Sequence, residues 1–145
     1  MCDHCSCRQF GPIADLTAEH EVILELAWQL AENHDERSPE RLAVRDELLV
    51  LLDRHVLKEE AGLYPELLLS GDLPATDCDE LEDEHVTVHA ALVAAKFDRR
   101  DFYALAAHVE QEEMELFPAA MFAFDDDVWD RLTDLQVRTA PVPVP

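Results

Sequence analysis

Glycine is scarce in this chain, with three in 145 residues. Basic side chains are scarce too: 11 Lys and Arg stand against 33 Asp and Glu, a formal net charge of −22. There is no run of about 18 apolar residues, which a membrane-crossing helix needs. Nor does the N-terminus carry the basic-then-apolar pattern of a secretory signal. Each shortage excludes something. The acidic balance argues against nucleic acid and anionic membranes as partners, because like charges repel. Without a membrane span or leader pattern, the expected location is cytoplasmic, and cysteines there are thiols or metal ligands rather than structural disulfides. What remains is nearly half apolar, 48%, and with so little glycine it suits one all-helical domain around a single core. The excess acid also suggests carboxylates neutralised by bound cations, although a solvated surface accounts for most of it.

One stretch occurs twice. His55 to Pro65 reads HVLKEEAGLYP and His108 to Pro118 reads HVEQEEMELFP, with six of eleven positions identical. Each copy has a His, a Glu four residues on, a second Glu next to it, and a Pro ten on. A helical residue advances about 100°, so positions four apart share a face and positions five apart diverge. His55 with Glu59, and His108 with Glu112, should therefore point the same way. Glu19-His20 and Glu84-His85 stand in corresponding places before the two copies. The chain thus reads as two EH…HxxxEE units related by a pseudo-two-fold axis.

Periodicity and caps place these residues on helices. The first is expected from Thr17 to about His34, since Gly11-Pro12 interrupts helix before it. The second opens at Ser38-Pro39-Glu40 (cap, first-position proline, acid in the first turn) and runs to about Leu69, with Pro65 kinking or ending it. The third runs from about Cys78 to Phe97, with Asp77 and Glu80 spaced as a capping box. The fourth runs from Asp101 to Phe117 or beyond. A short helix over 125–136, docked through Trp129, precedes a proline-rich tail. The expected fold is all-α: an up-down-up-down antiparallel four-helix bundle over 15–124. A Cys-rich N-terminal arm, 1–14, precedes it, and the short C-terminal helix and tail, 125–145, follow.

Five of the seven histidines fall on the inner sides of these helices: His20, His55, His85, His89 and His108. Burying them with Glu59 and Glu112 and no cation would leave unpaired polar groups costing a few kcal/mol each. Seven N and O donors exceed what one tetrahedral zinc takes. Imidazoles with carboxylates that can bridge suit a dinuclear iron or manganese centre in a helical bundle. Because Leu24 answers His89 in the other unit, one metal would have His85, His89 and His108, the other only His20 and His55. The second would keep an open position. Glu60 and Glu113 are expected outside the site, solvated or accepting a His N–H. Lys58 is expected on an exposed flank, and Tyr64 and Phe117 as packing residues.

The pattern resembles the hemerythrin-like family, specifically the HHE cation-binding domains, over roughly residues 15–120. The resemblance implies a non-haem centre of two iron ions bridged by an oxygen atom and two carboxylates. It implies as ligands His20, the His55–Glu59 pair, the His85–His89 pair and His108. The acid of the fourth helix is open between Glu112 and Glu113: the internal repeat favours Glu112, and Glu113 would need a local distortion such as a π-bulge.

The segment CDHCSC adds Cys2, Cys5 and Cys7, and Cys78 lies at the same end of the expected bundle. They form an additional metal site, a thiol pair that relays electrons or closes a regulatory disulfide, or an arm with no fixed role. Three functions follow. One is binding of dioxygen or NO at an open iron for sensing, storage or redox response. The second is an enzyme consuming peroxide or NO, with arm thiols and a redox partner protein supplying electrons. The third is an iron sensor or store whose folding depends on metal.

Overall fold

A computed structural model describes residues 11–32 and 37–141. Among them every regular element is helical. Helix α1 spans Gly11–Glu32 and begins earlier than Thr17. Proline is at home in a first turn, where its missing N–H has no partner to lose, and buried Ile13 and Leu16 pin this early turn to the core. The expected arm therefore loses its last four residues to α1, and its first ten lie outside the described residues.

Helix α2 spans Pro39–Lys58, with the Ser38 side chain accepting from the Arg41 N–H. It continues without a break through a π-helical turn, π1 (Glu59–Leu63), into α3 (Tyr64–Ser70). Pro65 therefore neither ends nor breaks the rod. A proline inside an α-helix clashes with the carbonyl four residues back; here the turn before it widens, and the Tyr64 N–H donates to the Glu59 carbonyl, five back. The rod ends at Gly71, whose positive φ of 83° lets the Asp72 and Gly71 amides close back onto Leu67 and Leu68.

Helix α4 spans Ala75–Val93. It starts directly after Pro74, so the expected Asp77–Glu80 box does not form. Helix α5 spans Arg99–Gln111 behind a reciprocal Asp98–Asp101 capping box. It passes through a second π turn, π2 (Glu112–Leu116), into α6 (Phe117–Ala123). Pro118 stands two residues past the end of π2, as Pro65 stands past the end of π1. Helix α7 spans Asp126–Thr139, capped by Asp125, and Trp129 is buried against Phe124.

The core is divided. One apolar cluster contains Ile13, Leu16, Leu63, Leu67, Leu81 and Leu116. The other contains Ile23, Leu30, Leu48, Leu52, Leu92 and Leu105. On each of the four long rods a buried His or Glu stands between the two. Along α1 and α4 the chain passes from the first cluster to the second. Along α2 and α5 it passes the other way.

Candidate metal centre

The polar layer consists of His20 from α1, His55 from α2, Glu59 from π1, His85 from α4, His108 from α5 and Glu112 from π2, all buried. Backbone periodicity supplies two of its contacts directly: His55 Nε2 is 3.2 Å from Glu59 Oε2 and His108 Nε2 is 3.2 Å from Glu112 Oε1, each pair four residues apart. The other two imidazoles cross over. His85 Nε2 lies 3.1 Å from Glu59 Oε1, and His20 Nε2 lies 3.3 Å from Glu112 Oε1. Rings pair at 4.7 Å, His20 with His55 and His85 with His108. Ligand-capable atoms so gather into two groups that share Glu59: His20, His55, Glu59 and Glu112, and Glu59, His85 and His108.

The back of every imidazole is held by its own carboxylate. His20 Nδ1 lies 2.8 Å from Glu113, His55 Nδ1 3.1 Å from Glu19, His85 Nδ1 2.6 Å from Glu60 and His108 Nδ1 3.1 Å from Glu84. Donation from Nδ1–H leaves the Nε2 lone pair turned to the shared interior, the tautomer a metal needs. The π turns explain how neighbouring acids do both jobs. In a regular helix Glu59 and Glu60 would diverge by about 100°; in the wider turn Glu59 faces the interior while Glu60 reaches the back of His85. The same holds for Glu112 and Glu113. The bulge is therefore present but starts at Glu112, so Glu112 keeps its place four residues after His108 and Glu113 becomes the outer acid.

Electrostatics describe a pocket short of positive charge. Burial opposes a charge on His55, but Glu59 and Glu19 overcome it and push its pKa up to about 10. Burial likewise opposes His108, which Glu112, Glu59 and Glu84 push up to about 9. His20 and His85 are raised by the same kind of neighbours. Burial opposes the charge of Glu59, yet His55 and His85 hold it well below the usual carboxylate range. Even so, His20 Nε2, Glu59 Oε2 and Glu112 Oε1 are buried without a hydrogen bond. Orphaned lone pairs converging on one space fit cations, which would displace the protons and satisfy these atoms together.

His89 is not in this layer. Its side chain is 49% exposed and 3.6 Å from Asp53, so the expected trio of His85, His89 and His108 is corrected to the pair His85 and His108. The buried seam of α4 is Cys78, Leu81, His85, Val88 and Leu92, a heptad-like spacing. The step after His85 is three residues, to Val88, and leaves His89 on the flank.

The asymmetry instead lies in Tyr64. Its hydroxyl donates to Glu112 Oε2 at 2.9 Å and lies 3.4 Å from Glu59 Oε1 and 3.5 Å from His85 Nε2. The ring stacks on His85, as its counterpart Phe117 stacks on His20. Burial and both carboxylates hold the phenol far above its usual range. Packing is thus half of its role. The sequence signal for the other half was the single oxygen by which the two repeats differ at this place.

Lys58 is buried rather than exposed. Its Nζ lies 2.6 Å from Asp15 and 2.7 Å from Glu19, so it helps hold Glu19, whose pKa is lowered against its burial by His55 and Lys58. Glu19 and Glu84 had no assigned role in the sequence reading, although the repeated Glu-His dipeptide pointed to them. Cys2, Cys5 and Cys7 lie outside the described residues. Cys78 is a free, buried thiol in the apolar core, 3.5 Å from Glu82 Oε1; burial and Glu82 push its pKa up to about 11. Among the described residues no cluster of metal-ligating side chains includes a cysteine, and no helix is long and apolar enough to cross a membrane.

A family sequence profile described as the hemerythrin HHE cation binding domain matches residues 11–120, a span that contains the whole polar layer. Neither a curated protein nor a solved structure matches the chain.

Proposed function

The chain belongs to the hemerythrin HHE cation-binding domain family, and on that premise we propose that it is a non-haem di-iron protein that binds dioxygen or NO. In this reading the four rods α1, α2–α3, α4 and α5–α6 run alternately up and down. The opposite order in which successive rods meet the two apolar clusters supports that arrangement. His20 and His55 would hold one iron, His85 and His108 the other, with Glu59 and Glu112 shared. The observation that carries the proposal is the set of four buried imidazoles, each backed at Nδ1 by its own carboxylate and each turning Nε2 toward the same two glutamates. Zinc alone would need fewer donors and no shared acid; paired iron is the better match to imidazoles with bridging carboxylates. Two imidazoles and shared carboxylate oxygens leave coordination positions for a small ligand.

When bound, the iron pair supplies reversible two-electron exchange with that ligand. The chain's own residues do the remainder. Glu113, Glu19, Glu60 and Glu84 fix the tautomers. The two apolar clusters exclude water above and below the layer. Tyr64 keeps the proton on its hydroxyl and directs it at Glu112. A second reading, turnover of peroxide or NO, rests on that hydroxyl, a hydrogen-bond donor set among Glu112, Glu59 and His85. A role in sensing or storing iron stands third and rests on the coupling of metal to folding.

Metal analysis combined with the optical spectrum under air and under argon tests the proposal. Two irons per chain and a colour that changes reversibly between the two gases are the expected result. A colourless protein containing zinc overturns it. Net peroxide consumption with bleaching would select the second reading.

A further inference from the structure

The two halves of the site are near copies, but the helix seams beside them are filled differently. Superposing the repeats sets Val22 against Thr87, Ile23 against Val88, Leu48 against Asp101 and Leu51 against Ala104. Every replacement on the α4–α5 side is smaller or polar. The consequence is a cavity of about 50 Å³ between α4 and α5, and two of the four imidazoles, His85 and His108, line it. Leu52, Val88 and Leu105 form its apolar wall. The equivalent seam between α1 and α2 bears a surface groove over Ala18, Glu19, Val22 and Leu51, which neither His20 nor His55 lines. There, Ile23 and Leu48 are essentially without exposure, at 1% and 0%, and close the way inward. His85 is accordingly the most exposed of the four imidazoles, at 7% against 1% for His20.

We propose that the α4–α5 cavity is the entry path for a small uncharged ligand, dioxygen or a molecule of its size, and that ligand reaches the centre from the His85–His108 side alone. This rests on the metal-binding function proposed above. Size sets the first limit: a cavity of this volume exceeds the roughly 10–15 Å³ that one water needs, yet has no room for an organic substrate. Charge sets the second. Glu84 and Asp101 line the cavity, and Glu84, accepting from His108 Nδ1, keeps its carboxylate there. An anion meets two negative groups on a protein of net charge −22, which a neutral diatomic passes without repulsion to reach the apolar wall and the imidazoles. Lys58 adds to the one-sidedness. It covers Glu19 on the His55 side, whereas its counterpart in the other repeat is the uncharged Gln111.

The chain provides its own control. A variant carrying Thr87→Val, Val88→Ile and Ala104→Leu fills the α4–α5 seam with the residues of the α1–α2 seam and touches no metal-ligating or capping side chain. Xenon-pressurised crystals of the metal-loaded protein should show xenon between α4 and α5, and the filled variant should show none. Stopped-flow mixing of the reduced protein with dioxygen should give an association rate lower by roughly tenfold or more in the variant, as expected when entry must await an opening motion. Metal content, measured alongside, should be unchanged. Xenon found at the α1–α2 seam instead, or an unaltered association rate in a variant that has lost the xenon site, overturns the proposal. Zinc in place of iron would defeat the di-iron reading and leave the xenon measurement intact, so the two failures are distinguishable.

Discussion

The hydroxyl of Tyr64 donates across 2.9 Å to Oε2 of Glu112, and Phe117, at the same place in the other repeat, has nothing to donate to Glu59. Tyr64→Phe would make the two halves of the centre alike. In the metal-free protein the change strips Glu112 of a donor while the group stays fully buried, so the unmet desolvation should cost about 1–3 kcal/mol. In the metal-loaded protein a cation already satisfies the carboxylates, and the cost should shrink below about 1 kcal/mol. Thermal melts of both forms, with and without the substitution, measure the difference. Equal destabilisation in the two forms would reduce Tyr64 to a packing residue.

The four outer carboxylates should matter in proportion to how firmly they are fixed. Glu113→Gln and Glu60→Gln keep the size of the side chain but lose the charge that orients His20 and His85. Loss of such a partner typically lowers metal affinity about 10–100-fold. Glu19→Gln should have the further effect of leaving Lys58 with Asp15 as the one carboxylate of its present pair. Competition against a chelator reads all three. Wild-type affinity in Glu113→Gln would mean that Nδ1 of His20 is oriented by something else.

Protonation and metal binding should pull the pH dependence of stability in opposite directions. In the metal-free protein His55 and His108 have folded-state pKa values raised to about 10 and about 9, above their unfolded values near 6.5. Their contribution is therefore complete below about pH 6.5 and is lost as pH rises through 9 and 10. Glu59 is depressed; its contribution is present above the unfolded carboxylate value near 4.3 and is lost as pH falls. The metal-free protein should melt highest between roughly pH 5 and 6.5 and progressively lower toward pH 10. The metal-loaded protein should gain stability over the same rise, because the metal needs deprotonated imidazoles. A metal-free melting temperature that climbs from pH 6 to 9 would contradict the charged-imidazole account.

Much of this site could be read from the residues because spacing on a helix is nearly deterministic over one turn. His55 with Glu59 and His108 with Glu112 needed only the four-residue rule, and the repeated Glu-His dipeptide paired α1 with α4. His89 failed the same rule because a packed seam alternates steps of three and four, and Val88 was as good a continuation from His85 as His89 was. Pro65 and Pro118 were visible as disruptions, but whether a helix ends, kinks or widens there depends on what gains from each outcome. Widening lets Glu60 and Glu113 reach imidazoles on other helices. That gain belongs to the tertiary structure and has no local signature. Lys58 was misplaced for a related reason: a long side chain next to two acids looks solvated until Asp15 and Glu19 are found across the helix pair.

Gly62 ties the C-terminal helix to this arrangement. It sits in π1, where a Cβ would meet Leu135 Cδ2 at 2.8 Å and Leu132 Cδ2 at 3.0 Å. Both contacts are far ends of flexible side chains on α7, which can swing aside or carry α7 outward. Gly62→Ala brings a helix-propensity gain of about 1 kcal/mol against an overpacking cost of typically 1–3 kcal/mol. The balance should fall on the destabilising side, by about 1 kcal/mol. The location of the loss identifies its cause. If α7 moves off π1, amide exchange should accelerate along Asp126–Thr139, and burial of Leu132, now 8% exposed, should decrease, while α4 and α5 keep their protection. Shortening the opposing side chain by adding Leu135→Ala to Gly62→Ala should recover part of the lost melting temperature, although Leu135→Ala alone lowers it. No recovery in the double variant would place the strain within the π turn itself, and α7 would then be a passive neighbour of the centre rather than a clamp on the turn that presents Glu59.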